Sequence, residues 1–534
     1  MRDQYDYIIV GAGSSGSVLA NKLSANPAHK VLLVESGPDD KSPLIRMPRG
    51  IGKLLAPGNP HVWDYQVVPA GNLPPETWLK GRTIGGSSSV NGMVYVRGAP
   101  ADYDHWASLG CTGWGWDKIG KHFVALEDHE LGADEWRGTG GPLKVSVHPS
   151  GNPLCEAVLD AAEQLGTPRT ADVNHVDTVA NGGMGYQTVT TWKGKRFSAA
   201  RAFVDPVRSR PNLDIVTDTD VLRILFEGKR ASAVLLRDKT GQREVRAARE
   251  IILSAGAIQS PKLLQLSGIG PAALLQGLGI EVIVDSPDVG QNLLEHRYLS
   301  TQYEVRGESL NKHFTGARLL KSVLNYALRS KGPMTHSAHE VGGFVKTRPG
   351  LGRPDAQIGV GLYSLNVDDK GQIGVDKAPG MTILGYFTRP ESQGEIRITS
   401  SNPDAAPHID ANHLTAEIDR ISAVSLFRWL RALGKQPALA DWIVRETVPG
   451  GGFETDDEIL SGALSIGGTS YHISGTCRMG ADEGSVLDPE LKVRGVEGLR
   501  VVDTSICPTI VSGNTNAPAM AIALNAAEII LRNQ

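Results

Sequence analysis

Cysteine is scarce in this chain: Cys111, Cys155, Cys477 and Cys507 are the only four in 534 residues, and no two form a C-x-x-C pair. Neither a disulfide scaffold nor a zinc knuckle fits that spacing, whereas a reducing compartment does. An excess of one charge is also lacking, since 54 basic and 58 acidic residues leave a formal charge of −4. That balance gives no electrostatic reason to expect a nucleic-acid partner. No apolar stretch reaches the ~18 residues a spanning helix needs. Met1-Arg2-Asp3-Gln4 leads directly into an apolar strand, without the apolar core of a signal peptide. A soluble, cytoplasmic protein with no transmembrane segment is expected, with peripheral docking at a membrane left open. Two chemistries lack their motifs as well: there is no GxxxxGKS/T loop for a nucleoside triphosphatase and no GxSxG elbow for a serine hydrolase.

What is present is 40 % hydrophobic and 21 % charged residues, which excludes wholesale disorder. At about 150 residues per domain, the length predicts two or more domains. Glycine is the exception: 62 of 534 residues is well above the usual ~7 %. With no collagen-like period, that excess predicts tight turns and close backbone approaches.

Tyr7-Ile8-Ile9-Val10 reads as a buried parallel strand, followed by Gly11-x-Gly13-x-x-Gly16, a helical stretch Val18 to Leu23, and a second strand Val31-Leu32-Leu33-Val34 ending in Glu35. This is a βαβ half-unit of the kind that binds dinucleotides. Gly11 permits the turn, Gly13 lets the backbone approach a pyrophosphate, Gly16 lets the helix pack on the strand, and Glu35 can accept from ribose hydroxyls. NAD and FAD both satisfy this motif. Glu250 to Gly256 and Leu499 to Asp503 have the same strand-then-loop character and can return to the same sheet, making the nucleotide-binding domain discontinuous. Between them, alternating strand patterns and mixed-charge helices such as Ile418 to Leu433 indicate a second domain.

Three further segments carry chemistry. In Gly85-Gly86-Ser87-Ser88-Ser89-Val90-Asn91-Gly92-Met93-Val94-Tyr95-Val96, backbone N–H groups and hydroxyls suit an anionic or polar ligand edge, and the apolar continuation suits a buried wall. In Ser254 to Gly270, Ser260 and Pro261 read as the cap and first residue of a helix that Gly268 stops. Near the C-terminus, His472 sits in a glycine-flanked loop, and Asn514-Thr515-Asn516 precedes a final helix, Ala519 to Leu531. His336, His339 and Glu340 have the residue types of a metal site, but the spacing is not H-E-x-x-H, and no metal is expected.

In this order and spacing, the four glycine-rich and histidine-bearing segments resemble the glucose–methanol–choline (GMC) flavin oxidoreductases over essentially the whole chain, from Tyr5 to the final helix. Within that family, the pattern is similar to the bacterial alcohol dehydrogenase, choline dehydrogenase and hydroxymethylfurfural oxidase-like branch. The resemblance implies an α/β (α+β overall) fold: a discontinuous Rossmann-like FAD-binding domain (1–155, 196–300 and 466–534) and a substrate-binding domain with an antiparallel sheet and helices (156–195 and 301–465). It implies FAD held at its ADP half by Gly11, Gly13, Ser14, Ser15, Gly16 and Glu35, with Val221 at the adenine end. Gly86, Ser87, Asn91, Gly92, Met93 and Val94 would run along the pyrophosphate and flavin, and Asp503, Asn514 and Thr515 would close the ribityl side. Val90 stands where some relatives attach FAD through a histidine, so non-covalent FAD is expected.

His472 and Asn514 match the family's catalytic pair, with Ile473 where a proline is frequent. His339 and Tyr471 fall near the substrate, although an ordinary solvated loop is an alternative for the His336–Glu340 stretch. Choline-oxidising relatives need an anionic or aromatic site for the quaternary ammonium, and Tyr298 stands where their carboxylate is placed, which disfavours choline. The implied reaction oxidises a primary alcohol to the aldehyde by hydride transfer to flavin N5, passing electrons to a quinone-type or artificial acceptor. The alternatives are an oxygen-using oxidase that releases hydrogen peroxide and, from another class, a flavin-dependent lyase or decarboxylase. A monomer or a homodimer is compatible. An alcohol at pKa ~15.7 and an imidazole at ~6.5 differ by roughly 9 units, or about 12 kcal/mol if the alkoxide formed alone. Proton loss must therefore be coupled to hydride departure or supported by fixed donors, with His472 as base and Asn514 as donor. As Asn514 does not ionise, His472 is expected to be the only titrating group, with activity rising as it deprotonates.

Overall fold

The computed structural model describes residues 1–69, 75–367 and 373–532. Two seven-stranded sheets organise the chain. In the first, Gln4–Val10 lies between Val31–Val34 and the long strand Gly241–Leu253, all parallel, with Leu213–Val216 parallel at the edge beyond Val31–Val34. The end of Gly241–Leu253 pairs in parallel with Leu499–Val501, and its beginning pairs antiparallel with Arg230–Asp238, which pairs with Asp220–Glu227. The apolar runs at Tyr7 to Val10 and Val31 to Val34 are buried throughout, as helices cover the sheet. The helix Ser14–Leu23 packs beside the terminal helix Asn516–Arg532, so the two ends of the sequence share one core.

The second sheet is antiparallel, in the order Ile443–Val448, Arg297–Val305, Gly380–Phe387, Ala356–Gly361, Val341–Val345, Gly183–Tyr186, with Gly468–Thr469 also on Arg297–Val305. Alternation assigns its faces. Leu299, Tyr303, Val305, Met381, Ile383 and Phe387 enter a core with the helices Pro153–Gln164 and Glu417–Gly434. The intervening Tyr298, Ser300, Gln302, Thr382, Leu384 and Tyr386 point the other way and line a large cavity. Register pairs them across the strands, Tyr298 opposite Tyr386 and Ser300 opposite Leu384.

The Ser260–Pro261 cap is corrected by the fold. The helix runs Gly256–Leu266, with Pro261 inside it. The carbonyl that proline leaves unsatisfied, Ala257 C=O, accepts the Thr476 hydroxyl at 2.6 Å. Asp503 does the work expected of a cap: its Oδ2 accepts from Gly256 N–H at 2.9 Å and from the Ser260 hydroxyl at 2.6 Å. A distant carboxylate thus displaces the local serine.

Candidate functional site

A cavity of about 850 Å³ runs between the two sheets, from the first glycine turn to His472. That is within the usual ~300–1,000 Å³ of ligand sites. Gly11, Gly13, Ser14, Ser15, Glu35, Gly86, Ser87, Asn91, Gly92, Met93, Val94, Val221, Asp503, Asn514 and Thr515 line it, and so do His472, Tyr471 and His339. Gly16 is not among the lining residues. A Cβ there would lie 1.9 Å from the Gly11 carbonyl oxygen, so this glycine closes the helix onto the turn.

The first-sheet wall is built from backbone. Gly11 has φ +99°, and a Cβ on it would meet the Ser254 carbonyl oxygen at 2.5 Å. Gly86 lies against the Gly13 Cα, with room for no side chain. The helices starting at Ser14, Gly256 and Asn516 all begin at this wall, where their first residues line the cavity. The dipoles of these three helix starts make it a place for anionic or carbonyl oxygens, although at Gly256 the Asp503 carboxylate already takes the first N–H. Ser14 donates to the Asn516 side chain at 2.7 Å and locks two of these starts together. Glu35 accepts from Ala12 N–H and Gly37 N–H, both at 3.0 Å, which fixes its carboxylate at the cavity edge with lone pairs to spare. Burial raises its pKa to about 7, against the pull of those N–H groups.

The serine cluster contributes less than its sequence suggests. Ser88 and Ser89 turn inward and donate to the carbonyls of Gly85 (2.6 Å) and Ile84 (2.8 Å), leaving only Ser87 at the cavity. The tight turn Gly86–Ser89 brings those carbonyls within reach. Met93, Val94, Tyr95 and Val96 are buried, as a wall requires. Val90 lines the cavity from a small apolar cluster with Ile45, Leu54 and Val62.

At the other end, His472 is held by a chain of hydrogen bonds whose direction can be assigned. The Thr388 carbonyl can only accept, so His296 donates to it from Nε2 at 3.0 Å. Burial lowers the His296 pKa to about 4, so its Nδ1 carries a lone pair and accepts from His472 Nδ1–H at 3.0 Å. His472 is itself held well below the ordinary imidazole pKa, by burial first and then by His296 and Lys80. Its Nε2 therefore presents a lone pair, into which Asn514 Nδ2 donates at 2.9 Å. Asn514 is oriented in turn by Gln357, which donates to Asn514 Oδ1 at 3.0 Å and accepts from the Tyr386 hydroxyl at 2.6 Å. Tyr386 stacks on His296 at 4.6 Å and closes the loop.

Tyr471 supports this arrangement through its backbone, at φ 63°. A left-handed residue other than glycine costs about 1–3 kcal/mol. The Thr469 hydroxyl accepts Tyr471 N–H at 2.8 Å, and Lys80 Nζ donates to the Tyr471 carbonyl at 2.9 Å. Glu295 accepts from His472 N–H at 3.0 Å, and burial raises its pKa to about 8. The expectation of one titrating group is thus corrected: Glu295, His296 and Lys80 are all shifted beside His472. The His336–Glu340 stretch is also no solvated loop. Glu340 is buried, taking Arg49 at 2.9 Å, His336 at 3.2 Å and Leu362 N–H at 2.9 Å, while His339 faces the cavity with its pKa lowered to about 4 by burial.

His296, Gln357, Tyr386, Lys80 and Glu295 escaped the sequence reading. The available signal was Glu295-His296-Arg297 (three charged or ionisable residues opening a strand), because such a run is rare in a core without partners. Gln357 and Tyr386 gave no local signal.

A family model described as GMC oxidoreductase matches residues 5–298, and a second with the same description matches 390–523. The chain belongs to the GMC oxidoreductase family. An alcohol dehydrogenase (acceptor) of Pseudomonas putida is 40 % identical, covering 99 % of this chain and 96 % of that protein. The mitochondrial choline dehydrogenase of Homo sapiens is 39 % identical over 99 % of this chain and 90 % of its own. Among solved structures, pyridoxine 4-oxidase from Mesorbium loti has a TM-score of 0.89 at 31 % identity, covering 99 % of this chain and 100 % of that one. Formate oxidase has a TM-score of 0.91 at 26 % identity, covering 100 % and 99 %. This GMC member is accordingly an oxidoreductase, and flavin binding is characteristic of the family. The cavity fits such a group, with glycine backbone and helix starts at one end and the ordered histidine at the other. Among the described residues, no helix is long and apolar enough to cross a membrane.

Proposed function

We propose that this protein oxidises a neutral primary alcohol to the aldehyde, with FAD held non-covalently and His472 as the base. The observation that carries the reading is the chain Thr388–His296–His472–Asn514, which fixes a neutral His472 Nε2 as an acceptor at the cavity and pairs it with the Asn514 amide. An alcohol hydroxyl inserting between the two would replace their direct bond, donating to His472 Nε2 and accepting from Asn514 Nδ2. The amide supports the developing alkoxide as the imidazole takes the proton, which meets the large pKa gap without forming a free alkoxide. When bound, FAD supplies the two-electron oxidant that takes the hydride.

Gly11, Gly13, Ser14, Ser15, Gly16 and Glu35 would hold or shape its ADP end, with Val221 beside the adenine. Gly86, Ser87, Asn91 to Val94, Asp503 and Thr515 would hold the remainder. Val90 offers no nucleophile for a covalent link. We assign 1–155, 196–300 and 466–534 to the FAD-binding part and 156–195 and 301–465 to the substrate part, the break near 300 falling within Arg297–Val305.

The case for a neutral alcohol rests on charge: among the described lining residues no carboxylate comes from the second sheet, whose side supplies Tyr298, Tyr386, Ser300, Gln302, Thr382 and Leu384. Homology to dehydrogenases favours a quinone-type or artificial acceptor. The test is anaerobic titration of the yellow protein with primary alcohols, sugars and choline. Bleaching of the flavin band by a neutral alcohol, and a ~10²–10⁴-fold slower bleaching in His472→Ala, are expected. Slow return of colour in air supports a dehydrogenase and fast return an oxidase. Photoreduction without bleaching by any alcohol would overturn the reading in favour of a lyase or decarboxylase.

A further inference from the structure

The helix Gly316–Arg329 faces two ways. Its inner face sets Leu319, Val323 and Tyr326 against Met47 and Met334, and the Tyr326 hydroxyl donates to the Arg46 carbonyl at 3.0 Å. Its outer face carries Leu320, Leu324 and Leu328, which are 62 %, 52 % and 82 % exposed. Spaced four apart, they form one continuous stripe along the solvent side of the helix. Isolated exposed leucines need no explanation, but three in a row on one helix face do.

The charge along this segment is of one sign. Between Ser309 and His339 the sequence has Lys312, Arg318, Lys321, Arg329 and Lys331 and no aspartate or glutamate, in a chain whose total is −4. All five cations are exposed. A leucine stripe on a segment whose only charged side chains are lysine and arginine is the pattern of a helix lying in the plane of an anionic bilayer, its apolar face in the acyl boundary and its cations at the headgroups. A second copy of this chain is a poorer occupant, since it would set an equally cationic helix against this one.

We infer that the Gly316–Arg329 helix docks this protein peripherally on anionic lipid. The helix also neighbours the substrate wall. Arg49, which follows Met47, stacks on Phe314 at 5.2 Å and on Tyr363 at 4.8 Å, and Tyr363 lines the cavity. Docking by this face would bring the substrate side of the cavity close to the bilayer, where apolar alcohols and lipid-soluble electron acceptors concentrate.

The test is sedimentation of the flavin-loaded protein with vesicles of phosphatidylcholine alone or mixed with phosphatidylglycerol, and it requires no turnover. Binding to the anionic vesicles, at least tenfold above phosphatidylcholine and weakened by salt, is expected. Leu320→Ser/Leu324→Ser/Leu328→Ser and, separately, Arg318→Glu/Lys321→Glu/Arg329→Glu should each lower it about tenfold, with melting temperature and flavin content unchanged because all six side chains are exposed. Failure to bind anionic vesicles would overturn the inference. So would binding indifferent to both variants, or a leucine variant that turns a dimer into a monomer without changing vesicle binding.

Discussion

The two walls of the cavity solve different problems with different parts of the chain. The first-sheet wall is made of backbone: glycines that admit no Cβ, and the starts of three helices. The second-sheet wall works with side chains, alternate residues of Arg297–Val305 and Gly380–Phe387 among them. A backbone site tolerates almost no substitution at its close approaches, because an added atom meets another backbone. A side-chain site can be re-cut by single substitutions while its sheet stays paired. The first wall therefore suits a ligand that does not vary, and the second a substrate that does.

The sharpest break in this contrast is Gly16→Ala. Its Cβ would fall 1.9 Å from the Gly11 carbonyl oxygen, so the turn must open. The expected outcome is protein that is colourless or insoluble, read from flavin absorbance per mole of purified chain. Next in size is His296→Phe, which removes the acceptor for His472 Nδ1–H while filling the space. We expect kcat/KM to fall about 10–100-fold, as for other residues that orient a working histidine. The acid limb of the pH profile should move as well, because the partner of His472 Nδ1–H is lost, whereas a merely structural loss would leave it in place.

Tyr298→Glu tests the tolerance of the second wall. Flavin content should be unchanged, and kcat/KM for choline relative to a neutral alcohol should rise about tenfold, equivalent to roughly 1.4 kcal/mol. An unchanged ratio would show that position 298 does not face the substrate's distal end.

The smallest effect concerns pH. His472 lies below the ordinary imidazole value, so the rise of kcat/KM with its deprotonation should fall on the acid side of pH 6.5. Glu295, at about 8, then ionises and places a negative charge at the His472 backbone. A carboxylate there strengthens the base, so a second rise through pH 8 is expected, absent in Glu295→Gln. For stability the sign is opposite: with its pKa raised in the fold, Glu295 contributes stability that is full below its unfolded value and lost as pH rises to about 8. Wild type should therefore lose more melting temperature than Glu295→Gln between pH 5 and 9.

The same contrast explains what could be read in advance. The Gly11-x-Gly13-x-x-Gly16 turn with Glu35 was legible because strand, turn, helix and carboxylate are consecutive, and their spacing follows from local geometry. His472 and Asn514 stood out by resemblance and meet at 2.9 Å. Ser260 was misread because its local cap pattern is sound: nothing in its neighbourhood announces that Asp503, far along the chain, takes both its hydroxyl and the helix start. Gln357 and Tyr386 were invisible for the same reason, lying on neighbouring antiparallel strands with nothing local to mark them.

By itself, then, the sequence determined the parallel glycine-rich sheet, the family and the pair His472 and Asn514. Those depend on interactions between residues close in the chain or on motifs that survive as strings. Only the tertiary structure decided the protonation pattern around His472, the inward turn of Ser88 and Ser89 and the makeup of the second-sheet wall. Each depends on burial and on donors or acceptors brought from distant segments, and the free energy of a proton or a hydrogen bond is set by what surrounds it in space.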